Sequence, residues 1–247
     1  MWENYIGQEQ LKEELYKLKD YPISLLLRGN SGYGKTRLAE IYASSRGNYD
    51  YQLGNELEDG FRYNPSVLTH IVDEIHELKH PEILYPFIDS GMVFVFCTNE
   101  TTNLKEPLRN RCIERFIREY SLENLIAIIR DKHPDFSAGV LYIIANRSRG
   151  TPRTALQLAF LCQVNCDVVN IENVEKYLDS SGYYANGFRE FDLKYLEFMK
   201  QARKASLNTL KSNLSLPDSQ IKDEIEPYLI KQKLISVTSG GRIYIGD

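Results

Sequence analysis

Along the first 120 residues, short apolar runs alternate with stretches in which apolar residues recur every three or four positions. The runs at 23–27, 49–53, 67–72, 92–98 and 113–120 read as buried strands. Helical segments between them predict a parallel sheet covered on both faces. From residue 121 the pattern is helical only: Leu122, Leu125, Ile126 and Ile129 keep the i, i+3, i+4, i+7 spacing. A second helix follows Ser137 as its cap, and a third begins near Pro152 with Leu156, Ala159 and Phe160 on one side. Residues 183–187, Tyr-Tyr-Ala-Asn-Gly, form a turn-rich break. Beyond it the pattern predicts a helix from about 191, a short helix at 207–214, and a helix over 218–232 carrying Ile221, Ile225, Tyr228 and Leu229. The end reads as a hairpin, 235–237 and 242–245, turning at Thr238-Ser239-Gly240-Gly241. Three helices followed by a two-stranded wing outline a winged helix-turn-helix. The expected division is an α/β core at 1–120, a helical domain at 121–186 and a winged helix at 187–247.

The length of 247 residues suits one medium domain with small appendages, and 43% hydrophobic with 26% charged residues excludes global disorder. Cys97, Cys112, Cys162 and Cys166 sit in apolar or helical contexts, which fits a reducing cytoplasm better than a disulfide framework. The N-terminus has no basic segment leading into an apolar one, and no run approaches the roughly 18 apolar residues of a membrane span, so a soluble cytoplasmic protein is expected. The net charge of −4 is uneven. Residues 187–247 carry 10 Lys and Arg against 8 Asp and Glu, net +2, leaving −6 upstream. Cys162 and Cys166 lack a companion His or Cys pair for zinc, and His70, His76 and His80 read as strand and helix surface.

The most specific signal is Gly29-Asn30-Ser31-Gly32-Tyr33-Gly34-Lys35-Thr36, a G-x-x-x-x-G-K-[ST] loop directly after an apolar strand and before a helix over 37–43 that opens with Arg37. Such a loop turns backbone N–H groups towards phosphates. Lys35 can reach the β- and γ-phosphates of ATP, and Thr36 can hold Mg²⁺. Asp73 and Glu74 end the third expected strand, placing Asp73 for the Mg²⁺ shell and Glu74 to polarise an attacking water. Asn99 ends the strand 92–98, where it could touch both γ-phosphate and water. Arg109 and Arg111 precede the last strand, and Arg153 opens the third helix of the helical domain. Exposed arginines of this kind are most often solvated or loosely paired.

Taken in order, Ile6-Gly7-Gln8, the phosphate loop, Asp73-Glu74-Ile75-His76, Cys97-Thr98-Asn99, Leu108-Arg109-Asn110-Arg111 and Arg149-Gly150-Thr151-Pro152-Arg153 resemble an AAA+ ATPase, and more narrowly the RuvB family of Holliday-junction branch-migration motors. The resemblance spans nearly the whole chain and implies an AAA+ P-loop ATPase core, a helical lid and a C-terminal winged helix. It further implies that Tyr5, Ile6 and Gly7 line the adenine pocket, Asn99 is a first sensor and Arg153 a second. Arg111, with Arg109 as the weaker candidate, is similar to an arginine finger entering a neighbour's site, which implies a ring, most simply a hexamer. Two departures stand out. Only 24 positions separate Glu74 from Thr98, so the β-hairpin by which the family engages RuvA is missing, which puts dependence on a RuvA-type partner in doubt. The segment from Gln8 to Gly29 is also shorter than is usual in the family.

For DNA, the helix 218–232 would be the reader and the turn at 240–242 the wing. Arg203, Lys204, Lys211 and Arg242 are the candidate phosphate contacts. The leading expectation is an ATP-driven motor moving duplex or four-way-junction DNA through a ring. The alternative is a loader or remodeller that uses ATP to clasp a helicase, a clamp or another replication or recombination protein.

Overall fold

Parallel strands cannot be joined by tight turns, so each crossover must carry a helix or long segment over a sheet face. The computed structural model describes residues 2–61, 63–99 and 104–246, with the backbone alone at 58 and 59. The chain divides into two compact units, residues 1–161 and 162–247.

In the first unit the order is α1 (Glu9–Leu18), β1 (Leu25–Arg28), α2 (Lys35–Arg46), β2 (Tyr49–Leu53), β3 (Thr69–Asp73), α3 (Tyr85–Asp89), β4 (Phe94–Thr98), α4 (Glu106–Arg109) and β5 (Ile113–Phe116). The five strands form one parallel sheet in the order β2-β3-β4-β1-β5. β1, β3 and β4 are central and buried at every residue. The edge strands differ from the sequence expectation of uniform burial: β2 and β5 have a neighbour on one side only, and Tyr49 and Tyr51 are 37% and 42% exposed. Beneath the sheet Leu26, Val72, Phe94 and Phe96 pack with Ile75, Leu84 and Leu108. Burial of that apolar surface is the main force holding the layers together. His70, expected at the surface, is buried instead between the rings of Phe61 (5.0 Å) and Phe94 (5.3 Å), and burial lowers its pKa.

β5 stops at Phe116 rather than running to 120, because the chain then turns to serve other segments. Ile117 donates its amide to Arg28 O, Arg118 donates to the Gln8 side chain, and Tyr120 donates its amide to Gly150 O. There follow α5 (Leu122–Lys132), α6 (Ala138–Arg147) and α7 (Pro152–Asn165), within which the division between units falls. Ser121 and Ser137 cap α5 and α6 by accepting the amides of Asn124 and Val140.

The second unit continues with α8 (Ile171–Ser180), capped by Asn170, and a turn closed by a Tyr183–Arg189 bridge. Then come α9 (Glu190–Ala202), β6 (Lys204–Ala205), α10 (Leu207–Leu214), a π-helical turn (Gln220–Ile225), α11 (Glu226–Lys231), β7 (Ile235–Thr238) and β8 (Gly241–Tyr244). Two details correct the sequence reading. The helix expected over 218–232 widens into the π turn, because Pro227 has no N–H to donate and its ring crowds the carbonyl four residues back, at Asp223. The wing has three strands, antiparallel in the order β6-β8-β7. Tyr195, Met199, Leu210, Ile221, Leu229 and Ile235 are among its core.

Arg242, expected to reach for DNA, turns inward. Its Nε donates to Glu226 Oε1 (2.8 Å) and its Nη2 to Oε2 (3.2 Å), and the Tyr195 hydroxyl donates to Oε1 (3.2 Å). The two side chains are 13% and 5% exposed, so the pair ties the wing to the start of α11 in a desolvated setting. Removing the cation alone should strand a buried carboxylate. Arg242→Met is expected to lower stability by about 3–5 kcal/mol, and the double change with Glu226→Leu should recover most of that loss, as read by urea denaturation.

Candidate nucleotide site

The loop 29–34 links the buried strand β1 to α2, so its backbone lies at the carboxyl end of a parallel sheet, the usual place for a ligand in such folds. Lys35 is 6% exposed, and its ammonium donates to the loop's own carbonyls at Gly29 (2.9 Å) and Asn30 (3.2 Å). Thr36 Oγ1 donates to Asp73 Oδ2 at 2.5 Å, joining the first turn of α2 to the end of β3. Asp73 Oδ1 accepts the amide of Glu74 (3.0 Å). Glu74 sits at φ 49°, a left-handed conformation uncommon outside glycine and found where local strain serves a site. Among the described residues its buried Oε2 has no hydrogen-bond partner; it lies 3.3 Å from His76 Nδ1, which in turn is 3.1 Å from Thr98 Oγ1.

Lys35, Thr36, Asp73 and Glu74 open onto a cavity of about 670 Å³. The loop contributes Ser31, Gly32, Gly34, Lys35 and Thr36, followed by Arg37; Asp73 and Glu74 form one wall, and Asn4, Tyr5, Ile6 and Tyr120 another. α5 supplies Ile128, Asp131 and Lys132, and α7 supplies Pro152, Arg153 and Leu156. Arg153 reaches the loop itself, with Nη1 3.3 Å from Ser31 Oγ and its amide donating to Gly32 O. Gly32 allows this approach: a Cβ there would lie 2.9 Å from Arg153 Cβ and 2.8 Å from Thr151 Cγ2. Tyr120 donates its hydroxyl to Tyr5 (2.9 Å), and Tyr5 donates to Gly34 O (3.3 Å). Burial pushes both phenols up in pKa, so they remain donors.

The donor set suits Mg²⁺, a hard cation that takes hydroxyl and carboxylate oxygens together with phosphates. Among the described residues no group of three His, Cys, Asp or Glu could hold a metal unaided. Of the residues singled out by sequence, the cavity is lined by Tyr5, Ile6, Ser31, Gly32, Gly34, Lys35, Thr36, Arg37, Asp73, Glu74 and Arg153, while Gly7, Gly29, Asn30 and Tyr33 are not among its lining. Asn99 follows β4, is exposed and does not line the cavity. Arg109 and Arg111 do not line it either. Arg109 Nη2 donates to Glu114 (3.2 Å), and Arg111 forks onto Asp89 through Nε (2.8 Å) and Nη2 (3.0 Å), with its guanidinium 4.5 Å from the Tyr85 ring centroid. The sequence carries no signal for Tyr51, Gly54, Tyr120 and the α5 residues, whose place at the site comes from strand register and tertiary packing.

Comparisons with known proteins place the chain in a family. Residues 185–245 match the model of the RuvB C-terminal winged helix domain. The Holliday junction branch migration complex subunit RuvB of Campylobacter concisus is 30% identical, the match covering 98% of this chain and 87% of that protein. The chain belongs to the RuvB family. The RuvB subunit of Helicobacter hepaticus is likewise 30% identical, over 98% of this chain and 89% of its own. The solved structure of the Thermotoga maritima RuvB Holliday junction branch migration motor superposes with a TM-score of 0.74 at 29% identity, covering 97% of this chain and 92% of that one. The alignment to the Campylobacter relative runs over 293 positions, more than the chain's 247 residues, so that family member carries segments this chain lacks. Between β3 and β4 the chain has two 3₁₀ turns, Ile75–Glu77 and Pro81–Leu84, and the short α3, with no strand pair.

Gly54 packs tightly behind Glu74: a Cβ would fall 2.4 Å from the carbonyl oxygen of Glu74. Gly54→Ala must push the end of β2 away from Glu74, and it is expected to cost about 1–3 kcal/mol in urea denaturation. A loss below about 0.5 kcal/mol would show that this contact relaxes freely.

Proposed function

We propose that the protein is an ATP-hydrolysing AAA+ motor that moves duplex or branched DNA, with Holliday-junction branch migration as its reaction and a ring, most simply a hexamer, as its working form. The observation that carries this reading is the convergence of the phosphate loop, Asp73, Glu74 and Arg153 on one cavity. Family membership supports the DNA substrate. Residues 1–120 would serve as the ATPase core, 121–186 as the lid and 187–247 as the DNA-binding winged helix.

In this reading Gly29 to Thr36 and Arg37 cradle the phosphates, and Tyr5, Ile6 and Gly7 hold the adenine. Thr36 and Asp73 would hold Mg²⁺, which when bound neutralises charge on the transferring phosphoryl group. Glu74, which lines the cavity beside Asp73, orients water through its carboxylate. Arg153 reports on the nucleotide from the lid, Asn99 from the end of β4. Arg111, or less favourably Arg109, reaches the site of an adjacent subunit. For that, Arg111 must first leave Asp89, a solvent-accessible pair of the kind that exchanges readily. On the winged helix, exposed Arg203, Lys204 and Lys211 are the phosphate contacts, although Lys211 also pairs with Asp218 (3.1 Å); Arg242 is withdrawn from that set by Glu226.

A second reading is a loader that clasps a protein partner, favoured by the strandless segment between β3 and β4 where the family's RuvA-engaging hairpin is expected. Strand exchange on a synthetic four-way junction without added protein supports the motor; inactivity together with tight capture of a helicase or clamp supports the loader.

Two substitutions test the chemistry. Glu74→Gln should retain ATP while cutting DNA-stimulated hydrolysis by about 10²-fold or more, and unchanged turnover would remove Glu74 from its role. Arg111→Ala should bind nucleotide nearly as well as the parent yet lose about 10³-fold in hydrolysis. Mixing it with a Lys35→Ala protein should restore activity, since some interfaces then pair an intact loop with an intact finger; no recovery counts against a finger working between subunits.

A further inference from the structure

Asp73 receives one hydroxyl that the reading above does not use. Tyr51 lies on β2 opposite Ile71, so Asp73, two positions further along β3, is its diagonal neighbour on the same face of the sheet. The Tyr51 hydroxyl donates to Asp73 Oδ2 at 3.2 Å, the same oxygen that accepts Thr36 Oγ1, while the Glu74 amide occupies Oδ1. Of the three donors, Thr36 belongs to the phosphate-loop helix and would share its oxygen with a cation. The Glu74 amide is fixed by chain connectivity. Tyr51 alone approaches from a separate strand and is free to keep its bond whatever the cation does.

We propose that Tyr51 is a positioning residue for the Asp73 carboxylate, holding Oδ2 beside Thr36 and so setting how tightly the nucleotide-loaded site retains a divalent cation. The proposal rests on the reading that this cavity binds Mg²⁺ with a nucleotide. A carboxylate with both oxygens already directed loses little orientational freedom when it joins a metal's coordination sphere, whereas one free to rotate loses more. The role needs the phenol as a donor. An ordinary phenol titrates at about 10 and is a donor at neutral pH. Packing does not require the hydroxyl, because Tyr51 stands on an exposed edge strand and phenylalanine keeps the ring.

The test is Tyr51→Phe in the full chain, with two binding measurements and a thermal melt. Mn²⁺ is titrated into ADP-loaded protein and free Mn²⁺ is read by electron paramagnetic resonance; a fluorescent ADP is titrated separately in EDTA. The expected result is Mn²⁺ binding weakened by about three- to tenfold, the size of one lost hydrogen bond, with cation-free ADP affinity within about twofold and an unchanged melting temperature. Unchanged or tighter Mn²⁺ binding would overturn the proposal, as would an equal loss of ADP affinity in EDTA, which would mark a general disturbance of the pocket. If the parent protein itself fails to bind ADP, the nucleotide reading fails instead, and the two failures are thereby distinct.

Discussion

The geometry of the site depends on a backbone contact between residues 151–153 and the phosphate loop at Gly32. Arg153 donates its amide to Gly32 O, its guanidinium reaches Ser31, and no Cβ could stand at position 32 without striking Thr151 or Arg153. The start of α7 is therefore held against the loop by main chain as well as by a cation. A guanidinium alone could swing away through several rotamers at little cost, but a helix start seated on a glycine moves only as a body. This gives the Arg153 side chain a fixed origin beside the loop, on the wall of the cavity that α5 and α7 line.

A second linkage runs through tyrosines. Tyr120 follows the last core strand and precedes α5; its hydroxyl meets Tyr5, whose hydroxyl meets the carbonyl of Gly34 at the start of α2. The chain entering the helical segment, the N-terminal arm and the loop are thus joined by two hydrogen bonds in a buried setting, where such bonds hold geometry strongly. Tyr120 also donates its amide to Gly150. Motion of α5 and of the 149–153 segment would therefore be felt at the loop through two independent routes.

The core of this arrangement was legible in the sequence because its parts are local. A phosphate loop is eight consecutive residues between strand and helix, and Asp73-Glu74 is a strand end, so spacing alone locates them. Strand existence was legible too; burial of β2 and β5 was not, since a strand's place at the sheet edge is a property of the sheet order. Tyr51 and Gly54 were hidden for the same reason: their relation to Asp73 and Glu74 comes from β2–β3 register, which no local pattern encodes. His70 reads as surface from sequence because its ring neighbours Phe61 and Phe94 are distant along the chain.

Arg242 shows the limit most sharply, and it changes how the charge of the winged helix is to be understood. An arginine after two glycines in a wing turn has the composition of a DNA contact, yet Glu226 of α11 claims it, and Tyr195 of α9 donates to the same carboxylate. The excess of two positive charges over residues 187–247 thus contains one cation neutralised in the interior together with its carboxylate. Since that internal pair cancels, the net excess at the surface of this segment is undiminished, while the number of cations available to phosphate is smaller by one. A buried pair of this kind contributes little to net stability compared with apolar packing, but it is intolerant of losing one member. What it supplies is placement: a wing pinned to α11 presents Lys204 and Arg203 from the adjoining strand and helix end in a fixed direction. The positive surface of this unit thus follows from where a few exposed cations are held rather than from how many the sequence contains.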